Sequence, residues 1–263
     1  MKNYENAVTD LLNIFEKQEF PKQVAISVIA KKNNSSIPFD TYSLMNKLIA
    51  IFIGGTRDCR GYVAWKKVGR YVIQGAKSFK IIAPLISKIK NEDTGEEITK
   101  INGFKAVSVF AVEDTDGMPI EQLPYKPIKL PPLIDLAPSL GVSEIRWNKN
   151  NDMILGCYNS TTHTIELASE DPIVFLHELG HHLHNLQEDI TQVPLEKAEI
   201  IAELTGAVLC SMLNITGYEM SSYKYIKEYA RKHTEKEILK EISSMLNIVE
   251  KSVTFVVEKS TTN

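Results

Sequence analysis

The sequence predicts an α+β protein with two unlike halves, and three observations carry that expectation. First, charge is unevenly distributed. Residues 1–115 hold 17 Lys and Arg against 12 Asp and Glu, whereas 116–263 hold 13 against 21. Second, strand-like alternation dominates 70–112, while helical periodicity dominates after 171. Third, six prolines fall between Met118 and Pro138 (Pro119, Pro124, Pro127, Pro131, Pro132 and Pro138), which rules out a long helix or a central strand there. The expected organisation is a small N-terminal α+β domain with an antiparallel sheet over 1–117. A proline-rich connector follows over 118–138, and then a second domain over 139–263, built around a β-hairpin and a helix pair.

Val8, Leu11, Leu12, Ile14 and Phe15 recur at helical spacing, so 4–17 is expected to be a helix. Residues 24–30 (VAISVIA) fit a strand or a helix equally, and the polar run KKNNSS reads as a loop. A helix is expected over 40–53, with Asp40 or Thr41 as its N-cap and Gly54-Gly55 as its stop. The runs 70–74, 79–86 and 104–112 read as strands, with a loop at Asn91–Glu97. Beyond the prolines, 153–158 and 163–168 read as a hairpin turning through Asn159–Thr162. Asp171-Pro172 is an N-cap followed by proline at the first helical position, opening a helix to about Asn185. A second helix is expected from Pro194 to Leu213, and the tail 219–258 is helical by periodicity.

Cys59, Cys157 and Cys210 are odd in number and far apart, so a disulfide framework is not expected and each reads as a small buried residue. No apolar run approaches the ~18–20 residues that cross a bilayer, and the N-terminus lacks a signal-peptide core. The expectation is a cytoplasmic protein without a membrane partner.

The first C-terminal helix reads D-P-I-V-F-L-H-E-L-G-H-H-L-H-N. His177 and His181 stand four apart, so both imidazoles leave one helix face and can chelate one ion. Glu178 is rotated by about 100° around the axis. There it can take a proton from a water acidified by zinc without competing for the metal. A catalytic zinc expects three protein ligands. The next helix supplies Glu199 and Glu203, four apart among apolar neighbours, where an unpartnered carboxylate would be costly. Glu199 is assigned as third ligand of one Zn2+ per chain, with Glu203 bonding a ligating histidine or, in the reverse assignment, ligating itself. His182 and His184 project from other faces and are expected to be exposed. His163 is expected on the hairpin strand, and His233 in solvent.

This arrangement resembles the glutamate-liganded zincin metallopeptidases over about 150–215. That resemblance implies hydrolysis of an amide by water, with Glu178 shuttling the proton. It also implies that 163–168 is the edge strand along which an extended peptide substrate pairs. Tyr158 and His163 are the candidates for stabilising an oxyanion.

Residues 20–90 hold 13 Lys and Arg and only Asp40 and Asp58 as acids. Within them, positive charge alternates with aromatic rings through Arg57, Arg60, Tyr62, Trp65, Lys66, Lys67, Arg70, Tyr71, Lys77, Phe79 and Lys80. Cations that track phosphates and rings that stack on unpaired bases bind single-stranded nucleic acid. Taken one by one, Trp65, Tyr71 and Phe79 read better as core residues of a small sheet, whereas the basic stretch as a whole reads better as a nucleic-acid site. The run Trp65–Lys77, the following Ile-x-Ala-Pro to Pro84, and the strand from Phe104 to Val112 resemble the single-stranded-DNA-binding domain of ArdC-type antirestriction proteins. In that family the domain precedes a zinc-peptidase-like domain with an H-E-x-x-H helix and a glutamate helix. Phe20-Pro21 stands where the family has tryptophan-proline, and Ser78 replaces a common glycine. The resemblance implies a cytoplasmic protein of a mobile element or virus that binds single-stranded DNA and protects incoming DNA from restriction. Two alternatives remain open: a regulatory metallopeptidase cutting a protein partner, and a non-enzymatic DNA-binding protein with a structural metal.

Overall fold

The structure is a computed structural model that describes residues 5–31, 37–90, 97–120, 130, 132–148, 155–218 and 222–262. The chain opens with helices α1 (Glu5–Ile14) and α2 (Phe20–Lys31), so the ambiguous run 24–30 is helical. The helix expected over 40–53 is split into α3 (Pro38–Thr41) and α4 (Leu44–Phe52). Ser43, not Asp40 or Thr41, caps α4, with its hydroxyl accepting from the Asn46 N–H. Gly55 takes φ +62° just past the end of α4, a conformation that favours glycine and stops the helix.

Strand β1 (Cys59–Arg60), α5 (Tyr62–Lys67) and β2 (Arg70–Val72) follow, then the long strands β3 (Phe79–Lys90) and β4 (Glu97–Ala111) and the short β5 (Thr115–Gly117). One sheet runs β1-β4-β3 and a second pairs β2 with β5, all antiparallel. Asn46 ties the sheet to the helices: its amide donates to the Ile82 carbonyl at 2.7 Å and accepts from the Ile82 N–H at 2.8 Å. The loop expected at Asn91–Glu97 lies, up to residue 96, outside the described residues.

Part of the proline-rich stretch is not a connector. Leu133–Leu136 form α6, a 3-10 turn continues to Leu140, and Leu130, Leu133, Leu136, Ala137 and Leu140 are buried. Proline starts and ends such short turns without interrupting a ladder. Strands β6 (Glu144–Trp147), β7 (Gly156–Asn159) and β8 (Thr164–Leu167) form the third sheet, in the order β6-β8-β7. The expected hairpin is β7–β8; β6, parallel to β8, has a pattern too short and exposed to be read in advance. The edge strand was expected at 163–168. Those residues instead hold the centre of the sheet, because β6 pairs with their second side, and β7 is the edge that packs on α7.

Helices α7 (Pro172–Asn185) and α8 (Leu195–Met212) keep their expected bounds, and Asp171 caps α7 through Ile173 N–H at 2.9 Å. The tail is two helices, α9 (Ser222–Lys232) and α10 (Glu235–Thr262). Between them Thr234 and Glu237 make a reciprocal capping box. Helices α1, α2 and α4 pack with α8 and α10, and one apolar cluster runs from Val8 to Val257. The regions on either side of the prolines therefore share a core. Cys59 and Cys210 are buried, but Cys157 is exposed on β7. Among the described residues no helix is long and apolar enough to cross a membrane.

Candidate metal centre and basic surface

Close packing of α7 on α8 builds the centre. A Cβ on Gly180 would lie 2.6 Å from the Ala202 carbonyl oxygen, and one on Gly206 would lie 3.2 Å from the Leu176 oxygen. Two glycines, one in each helix, thus let the backbones approach where the ligating turns face each other. The approach brings His177 Nε2 to 3.3 Å and His181 Nε2 to 3.4 Å from the Glu199 carboxylate oxygens. The three side chains form a His-His-Glu group whose ligand atoms lie within 4.8 Å of one another. Two ligands about 2.0–2.1 Å from a tetrahedral ion lie about 3.3 Å apart, so these separations fit one small divalent cation.

The electrostatics have the same focus. Hydrogen bonds from His177 and then His181 hold the Glu199 carboxyl well below its usual range. At His177 burial pulls the imidazolium pKa down, but the hydrogen bond to Glu199 and the charges of Glu178, Glu199 and Glu203 outweigh it and raise the value above 6.5. Glu203 acts on His177 through charge, and its backbone carbonyl accepts from the Tyr218 hydroxyl.

Glu178 is only 7 % exposed. Burial pushes its pKa up, opposed by the histidine charges and by a hydrogen bond from the Tyr158 backbone N–H. Gly156 makes room for it, since a Cβ there would stand 2.9 Å from the Glu178 carboxylate. Strand β7 therefore fixes the acid through one N–H and one missing side chain.

Two histidines expected in solvent are not there: His182 and His184 are both 0 % exposed. His182 bonds the Leu140 carbonyl at 3.1 Å and the Tyr158 hydroxyl at 3.3 Å, and His184 bonds Glu188 at 2.9 Å. Helix α7 is enclosed on more sides than its two-histidine stripe suggested, so these rings are packed and bonded, and burial lowers their pKa. His163 lies in the turn before β8 at φ +53°, not on a strand, and its ring bonds the Tyr158 hydroxyl at 2.9 Å. Asn185 donates to the same hydroxyl at 3.1 Å. Tyr158 is thus anchored at both ends, a role its sequence position did not announce.

The basic segment divides into two groups. Trp65 is 0 % exposed, with its indole N–H bonded to the Phe110 carbonyl at 3.0 Å. Arg60 lies over that ring and forks onto Asp58 at 2.9 and 3.1 Å. Arg70 spends all three guanidinium nitrogens on Thr115 and Met118. These residues hold the module together, with the Trp65 ring and the Arg60 guanidinium both buried in it. Lys80 bonds Ser108, and Arg57 reaches Gln23 at 3.2 Å. Tyr62 (50 % exposed), Tyr71 (61 % exposed), Lys66, Lys67 and Lys77 face solvent, with Lys66 over the Tyr62 ring. A charge-and-aromatic pattern in sequence does not separate these groups, because stacking on a base and filling a core call for the same residue types.

A shared helical core with an H-E-x-x-H helix crossed by a glutamate helix, preceded by a small antiparallel module, defines an α+β fold with a His-His-Glu group able to hold one metal ion. The solved structures with this fold include those of the antirestriction protein ArdC of plasmid R388. Its metal-free form matches with a TM-score of 0.54 and 21 % identity over 84 % of each chain. Its Mn(II)-bound form matches with a TM-score of 0.54 and 17 % identity over 91 % of this chain and 97 % of that one. No protein-family model and no curated relative matches the sequence. The likeness to ArdC holds at the level of the fold.

Proposed function

We propose that this protein is an ArdC-like antirestriction protein that holds a divalent metal, zinc or manganese, at a peptidase-type centre and binds single-stranded DNA on its basic module. The observation that carries this reading is the convergence of His177, His181 and Glu199 at ligating separation beside a buried Glu178. The R388 protein of the same fold was crystallised with Mn(II), which supports a divalent ion here.

His177 and His181 would hold the ion through Nε2 and Glu199 through its carboxylate. When bound, such an ion acidifies a water molecule and polarises a substrate carbonyl. Glu178 does the proton work: its carboxylate takes a proton from water and returns it to the departing amide nitrogen. Burial raises the Glu178 pKa above the ordinary carboxylate value, which makes the carboxylate a stronger base. The Tyr158 N–H holds the carboxylate in place, and β7, paired among the described residues with β8 alone, offers its outer edge to an extended peptide. A purely structural metal has no use for a buried acid in that position, which favours hydrolysis over the structural reading.

On the basic module, Tyr62 and Tyr71 present rings for unpaired bases, and Lys66, Lys67 and Lys77 present charge for phosphates. The deciding experiment supplies wild type, Glu178→Gln and His181→Ala with Zn(II) or Mn(II) and a mixed peptide library. Wild type should cleave, Glu178→Gln should keep its metal and lose about 10²–10⁴-fold in rate, and His181→Ala should lose both. Equal cleavage by Glu178→Gln, or none by wild type, removes the peptidase part of the proposal.

A further inference from the structure

Tyr218 meets the glutamate helix at the level of the three-ligand centre. Its hydroxyl donates to the Glu203 carbonyl oxygen at 2.9 Å. A Cβ built on Gly206 would lie 3.3 Å from the Tyr218 hydroxyl oxygen and 3.4 Å from His177 Cα. The phenol, the middle of α8 and the backbone of His177 therefore share one small volume that only a glycine leaves open.

The bond is an addition to the helix, not part of it. Inside α8 the Glu203 carbonyl faces the N–H four residues on, and Tyr218 uses its second lone pair. Tyr218 also borders a cavity of about 690 Å³ between the turn that joins α1 to α2, around Phe15 and Lys22, and the segment 215–218. The ring packs against the apolar core, and the hydroxyl adds a polar tie to α8. Burial, with the charges of Glu203, Cys210 and Glu199, raises the phenol pKa, so the group stays a neutral donor.

We propose that Tyr218 is a positioning residue for the metal centre, holding the Glu199–Glu203 turn of α8 against α7 so that the Glu199 carboxylate stays within reach of both histidines. The inference rests on reading the His-His-Glu group as a divalent-metal site. Glu199 is one helical turn before Glu203, so a tie on the Glu203 carbonyl restrains the backbone that aims the third ligand. The tie lies on α8 and the histidines on α7, so its loss is expected to free the Glu199 carboxylate and leave the histidines in place.

The test titrates Mn(II) into metal-stripped full-length protein by calorimetry, alongside thermal melts of the metal-free forms. Wild type should bind one ion and His181→Ala none. Tyr218→Phe should bind about tenfold more weakly, in the range seen for groups that orient metal ligands, with its metal-free melting temperature close to wild type. p-Aminophenylalanine at 218, which restores a donor at the same place, should recover the affinity. If Tyr218→Phe does not fold, p-fluorophenylalanine fills the hydroxyl's place without donating, and the same tenfold loss is expected. Wild-type affinity in the chain lacking the donor overturns the positioning role and leaves the metal reading intact. No binding by wild type overturns both.

Discussion

The helix pair α7–α8 and the basic segment 57–80 were both read from residue pattern, and they behaved differently. In the helix pair, spacing fixes direction: residues four apart share a face, so His177 and His181 meet wherever the helix goes. In the basic segment nothing fixes direction, because a two-residue strand, a short helix and a three-residue strand succeed one another within 59–72. There the residues with the largest apparent ligand potential, Trp65, Arg60 and Arg70, are consumed by the fold. A motif tied to a regular element locates its side chains, whereas a composition locates only a neighbourhood.

That contrast can be broken most directly at Trp65. Trp65→Ala should cost about 3–5 kcal/mol of stability in urea melts, as for other fully buried large side chains. A loss under about 1 kcal/mol would return the ring to the ligand-binding surface. The complementary test replaces Lys66, Lys67 and Lys77 together with Ala. Stability should change by no more than about 0.5 kcal/mol. The slope of log affinity for single-stranded DNA against log salt should become shallower by about 2, from about 0.7 for each phosphate contact removed. An unchanged slope would mean that these lysines do not meet the phosphates.

The smallest expected effect sharpens the helix side of the comparison. In metal-free protein the His177–Glu199 contact links stability to pH through two opposed shifts. His177 is raised above its ordinary 6.5, so its contribution is present below pH 6.5 and is lost as pH rises through the raised value. Glu199 is lowered below its ordinary 4.5, so its contribution is present above pH 4.5 and is lost as pH falls through the depressed value. The melting temperature should peak between those limits, and Glu199→Gln should flatten the peak. A wild-type profile as flat as that of Glu199→Gln would show that the contact is not formed in solution.

Much of the architecture was legible in the sequence: the α+β class, the bounds of α7 and α8, and the β7–β8 hairpin follow from caps, periodicity and turn residues. What was not legible has physical causes. The edge position of β7 depends on β6, four residues with an exposed pattern and no periodic signature. The burial of His182 and His184 depends on what covers the flanks of α7, which one helix's sequence does not contain. The support for the centre comes from groups that carry no motif: the Tyr158 N–H and the glycines 156, 180 and 206. The glycine inside H-E-L-G-H was the available hint, since a helix gives up stability at glycine only where something must come close.

The proline stretch looks like a place to divide the molecule, yet α2 and α4 lie against α8 and α10 in one apolar cluster. A fragment beginning at residue 139 would leave bare the faces those N-terminal helices cover, and would be prone to aggregate. Ligation and folding are also thermodynamically linked across that shared interior. An ion that favours the packed arrangement of α7 and α8 raises the free energy of unfolding of the cooperative unit that includes them. Occupancy at the histidines would then be felt by the N-terminal helices, with no moving part between them.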